Sequence, residues 1–282
     1  MSKSRTNGHD PQRVFVGTSP GGQDAEACVA LLHSLRSRAS VPVEVEFLCI
    51  SNDPASPCYS DPKSGEGWAT EQWRTPWTAL RWVVPEICGW RGRAVYFDCP
   101  TVVLGDVSEL ALAPLRPDAF VLLRRGDASL GTACAVFDCA RAREHLPPAR
   151  TMQSDVGAHQ TVGVLLDQNP TLAGALPGLW GATDIEFAAK VRGPGGSVHF
   201  PSPLTQPHVR HARARLDRLG RRHWHDGVRL PHFSDALVQV FEAEYAAALA
   251  AGYSVEQYGQ GESLSDNTSI AARERARAGQ GP

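Results

Sequence analysis

A strand-like segment that ends on an acidic residue constrains this chain most. Residues 93–98, RAVYFD, combine aromatic and β-branched side chains in a way typical of a buried strand, and the segment ends on Asp98. In an open α/β sheet, ligands bind outside the carboxyl ends of the strands, so Asp98 is expected to face a ligand. The next carboxylate, Asp106, lies in the segment GDVSEL, three residues before Glu109. We interpret Asp106 as the N-cap of a short helix and Glu109 as its capping-box partner.

The order of the other segments predicts a single α/β domain. RVFVG (13–17) is predicted to be the first strand, followed by a helix within 23–39 and a second strand within 41–51. A strand–helix–strand unit of this kind predicts that the sheet begins parallel. The remaining predicted elements are a helix that stops near Pro85, the strand at 93–98, strands at 119–125 and 131–139, a helix within 159–170, a short strand at 196–200, and C-terminal helices within 210–226 and 233–252.

Composition excludes several classes of protein. The chain carries 28 basic and 30 acidic residues, which argues against a surface for nucleic acid or for anionic membranes. No apolar run approaches the ~20 residues of a membrane span. The polar N-terminal segment lacks the apolar core of a signal peptide, so we expect a cytoplasmic protein. The seven cysteines are odd in number and scattered, which predicts reduced, buried thiols.

Composition also sets the expected boundaries of the domain. Residues 1–12 are predicted to be a flexible leader, 13–252 the domain, and 253–282 a disordered tail. Because the tail lacks a long apolar stripe, its removal is expected to leave stability unchanged. The HWH segment at 223–225 lies in the helix predicted within 210–226, where residues two apart do not share a face. We therefore interpret these histidines as surface residues rather than zinc ligands.

Several segments resemble, in the same order, the motifs of family 8 glycosyltransferases of the GT-A fold, particularly bacterial members. The most specific is the block at 95–110, VYFDCPTVVLGDVSEL, where the family has an apolar strand, Asp-x-Asp and a run like TVVLGDISEL. Weaker similarities, within about residues 13–250, are RVFVG with its following helix, WTALRWVVPEICG, GTACAVFDC, HQ followed by LPGLW, and VHFPSPLTQPH. The resemblance implies an α/β, GT-A-like (Rossmann-like) mixed sheet flanked by helices, with C-terminal helices.

The resemblance also implies an activity and a set of site residues. The activity is the retaining transfer of a sugar from a UDP-sugar donor to an acceptor, which the variable segments 52–74 and 209–232 would bind. The implied catalytic residues are Gln160 and Arg81. The matching positions place Thr18 and Ser19 beside the nucleotide base, Arg81 at the donor phosphate or sugar, Asp98 on a cation or the ribose, Gln160 beside the sugar carbon under attack, and His199 and Gln206 over the pyrophosphate.

The sequence departs from the family pattern at four places in the same site. Pro100 replaces the second Asp of Asp-x-Asp, Gln206 replaces a lysine, His159 replaces the Asp of an Asp-Gln pair, and TSP at 18–20 replaces an Asp and a Tyr. A cofactor such as Mn²⁺ or Mg²⁺ would have only Asp98 and His199 as ligands, although these ions prefer several oxygen ligands. We therefore expect a weakened cation site or none.

Three functions stay open at this point. The first is an active glycosyltransferase with an altered site. The second is a GT-A-like protein that has lost transfer activity and acts as a nucleotide-binding, carbohydrate-binding or regulatory subunit, and the third is a binding module without a catalytic partner. The expected partners are a nucleotide sugar and an unidentified acceptor, without nucleic acid or a membrane span. The oligomeric state stays open, with a homodimer among the alternatives.

Overall fold

The structure, a computed structural model, describes residues 11–71, 73–126, 130–154, 157–190 and 195–259. Most of the predicted leader and the part of the predicted tail from residue 260 onward lie outside these ranges. The strands are β1 (Gln12–Gly17), β2 (Val43–Leu48), β3 (Ser60–Asp61), β4 (Glu66–Gly67), β5 (Arg93–Asp98), β6 (Thr101–Val103), β7 (Val121–Arg125), β8 (Leu130–Asp138), β9 (Ala173–Ala175), β10 (Ala182–Thr183) and β11 (Ser197–His199). The helices are α1 (Ala25–Arg38), α2 (Val84–Ile87), α3 (Ser108–Leu112), α4 (Cys139–Ala142), α5 (Ala149–Ser154), α6 (Ala158–Gln168), α7 (Asp184–Lys190), α8 (Val209–Arg218), α9 (Asp235–Ala250) and α10 (Glu256–Gly259), with short 3₁₀ helices at Pro20–Gly22 and Leu80–Val83.

The central sheet is mixed and flanked by helices, which confirms the predicted fold class. Its strand order is β2-β1-β5-β8-β7-β9, with β1 parallel to both β2 and β5 and with β5 antiparallel to β8. Strand β7 pairs antiparallel with β8 and parallel with β9. Gly17 at the end of β1 pairs with Asp98 at the end of β5. The carboxyl ends of two parallel strands therefore meet at Asp98, where a ligand is expected in such a sheet.

Helix α1 covers the sheet because its apolar side chains point into the core. Val29, Leu31 and Leu35 are completely buried, and the helix packs against β6 and α9. Helix α9 begins after Ser234, whose hydroxyl oxygen accepts a hydrogen bond from the Leu237 N–H, as an N-cap does. The two helices hold the β1–α1 loop beside the carboxyl ends of the strands.

A second, smaller sheet brings the end of β11 close to the end of β5. Its order is β10-β11-β6, and β11 runs antiparallel to β6, so that His199 lies opposite Thr101. The Phe200 N–H donates to the Pro100 carbonyl oxygen at 2.9 Å. Two segments that are far apart in the sequence thus meet beside Asp98.

Two helix boundaries differ from the prediction because of local geometry. Pro85 does not stop a helix but lies in the first turn of α2, where its missing N–H costs no hydrogen bond. The helix predicted within 210–226 is shorter and ends at Arg218, because Gly220 takes a left-handed conformation with φ of 65°. Residues 221–232 are not helical.

Asp106 has a structural role, but through a different contact from the predicted capping box. Its Oδ1 atom accepts the Ser108 N–H at 2.9 Å and the Ser40 N–H at 3.1 Å. The carboxylate therefore ties the start of α3 to the segment after α1. The hydrogen bonds of the described residues do not include a return bond from the Glu109 side chain.

Two predicted domain boundaries also change. Strand β1 begins at the buried Gln12, one residue inside the predicted leader. Helix α10 lies inside the predicted disordered tail, and its Tyr258 side chain is buried, with the ring centroid 5.4 Å from that of Phe47. Tyr253 and Val255 are partly buried and also pack against the core, although the polar composition of the segment conceals these contacts.

The cysteines are as predicted. All seven are free and buried, and burial raises the pKa of the Cys49 thiol to about 12. Burial also raises the pKa of the Cys58, Cys99 and Cys134 thiols, so these four thiols are protonated at neutral pH. Within the described part of the chain, the helices are too short or too polar to cross a bilayer.

Candidate functional site

A cavity of about 460 Å³ opens at the carboxyl ends of β1 and β5, and we call it the cleft. Four of the residues that the sequence motifs selected line it together: Arg81, Asp98, His199 and Gln206. Three separate parts of the chain supply them, namely the 3₁₀ helix before α2, the end of β5, and β11 with the loop that follows. The tertiary structure therefore brings these predicted residues into one site.

Asp98 forms the floor of the cleft and is already paired. The Arg81 Nη2 atom lies 3.2 Å from Asp98 Oδ1 and 3.4 Å from Oδ2. The Tyr96 hydroxyl donates to Asp98 Oδ1 at 2.7 Å. Burial, followed by the negative charge of Asp98, raises the pKa of Tyr96 well above its ordinary value, so this hydroxyl stays a donor. Gly17 is needed opposite, because a Cβ there would overlap the Tyr96 hydroxyl.

Arg81 is held in place by several partners at once. Its Nε donates to the Thr78 carbonyl oxygen at 3.1 Å, and its Nη1 donates to the Thr132 hydroxyl. The guanidinium also lies over the Tyr96 ring, 5.4 Å from the centroid. A guanidinium fixed in this way presents its remaining N–H groups to the cleft in a defined orientation.

His199 and Gln206 form the opposite side of the cleft. His199 Nδ1 lies 3.3 Å from the Thr101 hydroxyl, and burial lowers the pKa of His199 although the charge of Asp98 acts in the opposite direction. The imidazole is thus neutral at pH 7. Gln206 Nε2 donates to the Phe200 carbonyl oxygen at 2.8 Å, whereas its buried Oε1 has no partner among the described residues. Because a phosphate oxygen has no hydrogen to donate, this amide oxygen suits a ligand hydroxyl or N–H.

The cleft carries more positive than negative charge. Arg74, Arg81 and Arg124 line it, against the two carboxylates of Asp98 and Glu186. Arg124 Nη1 donates to a backbone carbonyl oxygen at 2.6 Å, and its Nε lies 3.5 Å from Glu186 Oε1. A concave site with this balance attracts an anionic ligand.

Solved structures of glycosyltransferases are similar to this chain. The galactosyltransferase LgtC, in complex with donor and acceptor sugar analogues, has a TM-score of 0.52 at 12% identity, over 84% of this chain and 96% of that one. GlyE from Streptococcus pneumoniae TIGR4 has a TM-score of 0.52 at 11% identity, over 97% of this chain and 65% of that one. The bifunctional glycosyltransferase WbbM, in its apo structure, has a TM-score of 0.50 at 16% identity, over 70% of this chain and 46% of that one.

The chain has the GT-A fold. At identities this low, the likeness establishes the fold alone. The chain spans less than half of the WbbM structure that it matches. No protein-family model and no curated protein matches the sequence.

The residues of the GT-A cleft do not suit a divalent cation. Hard cations such as Mn²⁺ and Mg²⁺ are bound through carboxylate oxygens, commonly from more than one side chain. Here Asp98 is engaged by Arg81 and by Tyr96, and Pro100, which also lines the cleft, has no side-chain ligand atom. His199 adds only a neutral imidazole. The positive charge of the cleft comes from its arginines.

Three other predicted residues lie outside the lining of the cleft. Thr18 and Ser19 are buried; the Thr18 hydroxyl lies 3.2 Å from Cys28 Sγ, and Ser19 Oγ has no partner among the described residues. Gln160 is exposed on α6. The side chain of His159 lies outside the described part of the structure.

Sequence reasoning missed Trp77 and Arg124, which line the cleft. The Trp77 Nε1 atom is buried without a hydrogen-bond partner among the described residues. Arg124 lies near the end of β7, and a charged residue at the end of an apolar strand was the available signal. No sequence pattern indicates the orientation of the Trp77 ring.

A buried polar cluster lies behind the Trp77 side of the cleft. The Nε2 atoms of His208 and His223 lie 2.8 and 3.0 Å from Asp24 Oδ1, and Trp224 Nε1 donates to Oδ2 at 2.8 Å. Burial alone would raise the pKa of Asp24, but hydrogen bonds to the two histidines outweigh it and hold this pKa far below its usual range. His223 is therefore not the surface helical residue that the HWH segment predicted.

Proposed function

We propose that this protein is a glycosyltransferase that transfers a sugar from a nucleotide-sugar donor to an acceptor still to be identified. The resemblance of residues 95–110 to bacterial family 8 enzymes supports a UDP-sugar donor and retention at the sugar carbon. The observation that carries the proposal is the convergence of Arg81, Asp98, His199 and Gln206 in one cleft of a GT-A fold.

The leaving group sets the main chemical requirement of such a transfer. Negative charge develops on the nucleoside diphosphate as its bond to the sugar breaks, and fixed N–H donors in a partly buried cleft stabilise that charge. Arg81 and Arg124 supply such donors without a cation. Trp77 Nε1–H and Gln206 Oε1, which have no partner in the described part of the chain, would supply one donor and one acceptor for the uncharged parts of the donor substrate.

Calorimetric titration with UDP, GDP and dTDP in the presence of a chelator tests the donor site. We expect UDP to bind with a sub-millimolar Kd, and Arg124→Gln to weaken binding by about tenfold through loss of a charge-assisted contact. Arg125→Gln is the matched control, because Arg125 is exposed and does not line the cleft. Failure of all three nucleotides to bind below millimolar concentration would contradict the proposal.

A second candidate function is nucleotide-sugar binding without transfer. The exposed position of Gln160 favours it, because the residue that the family resemblance assigns to the sugar carbon lies outside the lining of the cleft. Hydrolysis or transfer assays with a panel of UDP-sugars, with and without Mn²⁺, distinguish the two. Turnover supports the transferase, whereas tight binding without turnover supports the binding protein.

A further inference from the structure

The cluster around Asp24 has the composition of a transition-metal site. Asp24, His208 and His223 each offer one ligand atom, and these three atoms lie within 4.8 Å of one another. All three side chains are buried. They come from the loop before α1, the residue before α8 and the irregular segment 221–232, so tertiary folding alone assembles them.

The charge of the cluster requires a positive partner. Asp24 is completely buried, and burying an unpaired carboxylate costs several kcal/mol. Among the described residues its contacts are ring nitrogens of His208, His223 and Trp224, without a lysine or arginine. One divalent cation between the three atoms balances the carboxylate and satisfies both imidazoles.

The outer contacts are those found around metal-binding side chains. His223 Nδ1 lies 3.2 Å from the His225 carbonyl oxygen, and Trp224 Nε1 donates to Asp24 Oδ2 at 2.8 Å. Metal-binding imidazoles usually donate their second N–H to a carbonyl or carboxylate, and metal-binding carboxylates accept outer hydrogen bonds. The His225 backbone nitrogen also lies 3.1 Å from His223 Nδ1. The tautomer with its proton on Nδ1 donates to the His225 carbonyl oxygen and directs the lone pair of Nε2 toward Asp24, which is the arrangement that a bound cation requires. The other tautomer accepts the His225 N–H and donates from Nε2 to Asp24.

We propose that Asp24, His208 and His223 bind one zinc ion. Two imidazoles and one carboxylate suit zinc, whereas Mg²⁺ and Ca²⁺ prefer oxygen ligands alone. The ion joins the β1–α1 loop, α8 and the segment 221–232. Trp224, next to His223, packs edge-on against Trp77, with 5.7 Å between the ring centroids. The three segments that the ion connects therefore support the wall of the cleft that contains Trp77. The zinc content is independent of whether the protein transfers a sugar.

Metal analysis of the untagged, full-length protein tests this site. After zinc loading and dialysis we expect one zinc per chain, a lower melting temperature on addition of a strong chelator, and a visible absorption band when Co²⁺ replaces zinc. Asp24→Asn keeps the size and the hydrogen-bond acceptor, and His223→Gln keeps a hydrogen-bond donor, yet each should weaken zinc binding by more than ~100-fold. Trp224→Phe removes only an outer contact and should weaken it by about 10- to 100-fold.

Two control variants locate the ion. His232 Nε2 lies 3.0 Å from Asp184 Oδ2 in another buried histidine–aspartate pair, so His232→Ala should retain zinc. Glu186→Gln should also retain it, because Glu186 lines the cleft and its side chain is partly exposed. Absence of zinc from the loaded parent protein overturns the proposal, and so does unchanged zinc binding in Asp24→Asn and His223→Gln; the cluster is then a hydrogen-bonded joint.

Discussion

Arg81 covers the carboxylate of Asp98 at the end of β5, with its Nη2 atom 3.2 Å from Oδ1 and 3.4 Å from Oδ2. Both side chains are almost fully buried, at 7% and 10% exposure. The Tyr96 hydroxyl shares Oδ1 as a second donor. The acidic residue that the sequence directs toward a ligand is therefore also half of a buried ion pair at the floor of the cleft.

Removal of the Asp98 charge should destabilise the protein strongly. Asp98→Asn leaves Arg81 buried without its counter-ion, so we expect the free energy of unfolding to fall by about 3–5 kcal/mol in urea titrations. Asp226→Asn is the control, because its pair with Arg222 is mostly exposed, and it should change the free energy by less than ~1 kcal/mol. Equal urea midpoints for Asp98→Asn and the parent would contradict this account.

The response of nucleotide binding to Mn²⁺ should depend on residue 100. In the parent, UDP affinity should differ by less than about twofold between Mn²⁺ and chelator, because Asp98 is engaged by Arg81. Pro100→Asp adds the missing carboxylate and should tighten UDP binding in Mn²⁺ by about tenfold, or ~1.4 kcal/mol. Pro201→Asp, which adds a carboxylate elsewhere in the cleft lining, should not. A strong Mn²⁺ requirement in the parent would show that its cleft does hold a cation.

His199 should make stability depend on pH below its ordinary pKa of 6.5. Burial lowers the pKa of His199 in the folded protein, so the unfolded chain takes up the proton first as pH falls. The stabilisation from a neutral His199 is full above pH 6.5 and is lost as pH falls below it, by up to ~1.4 kcal/mol per pH unit. Urea titrations between about pH 7.5 and 5.5 should show a smaller loss for His199→Gln than for the parent. Equal losses of the free energy of unfolding in the two proteins would contradict a lowered pKa of His199 in the folded protein.

Tyr258 should contribute to stability although it lies in the predicted tail. Its ring is 8% exposed and packs on Phe47, so Tyr258→Ala should lower the free energy of unfolding by about 2–4 kcal/mol. Phe233→Ala is the matched aromatic control, because Phe233 is 60% exposed, and it should change the free energy by no more than ~0.5 kcal/mol. Similar melting curves for Tyr258→Ala and the parent would support the prediction that residues 253–282 do not pack against the domain.

Local patterns in the sequence were enough to predict the strand at 93–98, its end on Asp98, an α/β domain and the buried thiols. Strand periodicity and strand ends depend on neighbouring residues, and the block at 95–110 is continuous, so these features can be inferred from the sequence alone. The selection of Arg81, His199 and Gln206 followed from a family resemblance.

Only the tertiary structure decided which partners these residues have. The pairing of Arg81 with Asp98 depends on how a 3₁₀ helix packs beside β5. In the Asp24 cluster, His208 and His223 contact Asp24 from 184 and 199 positions further along the sequence. No local pattern indicates contacts at such separations. The spacing of the HWH segment argued against a shared helix face, but α8 ends at Arg218, so His223 is free to turn inward. Burial and charge pairing are properties of the packed chain, because they depend on residues that only the fold makes neighbours.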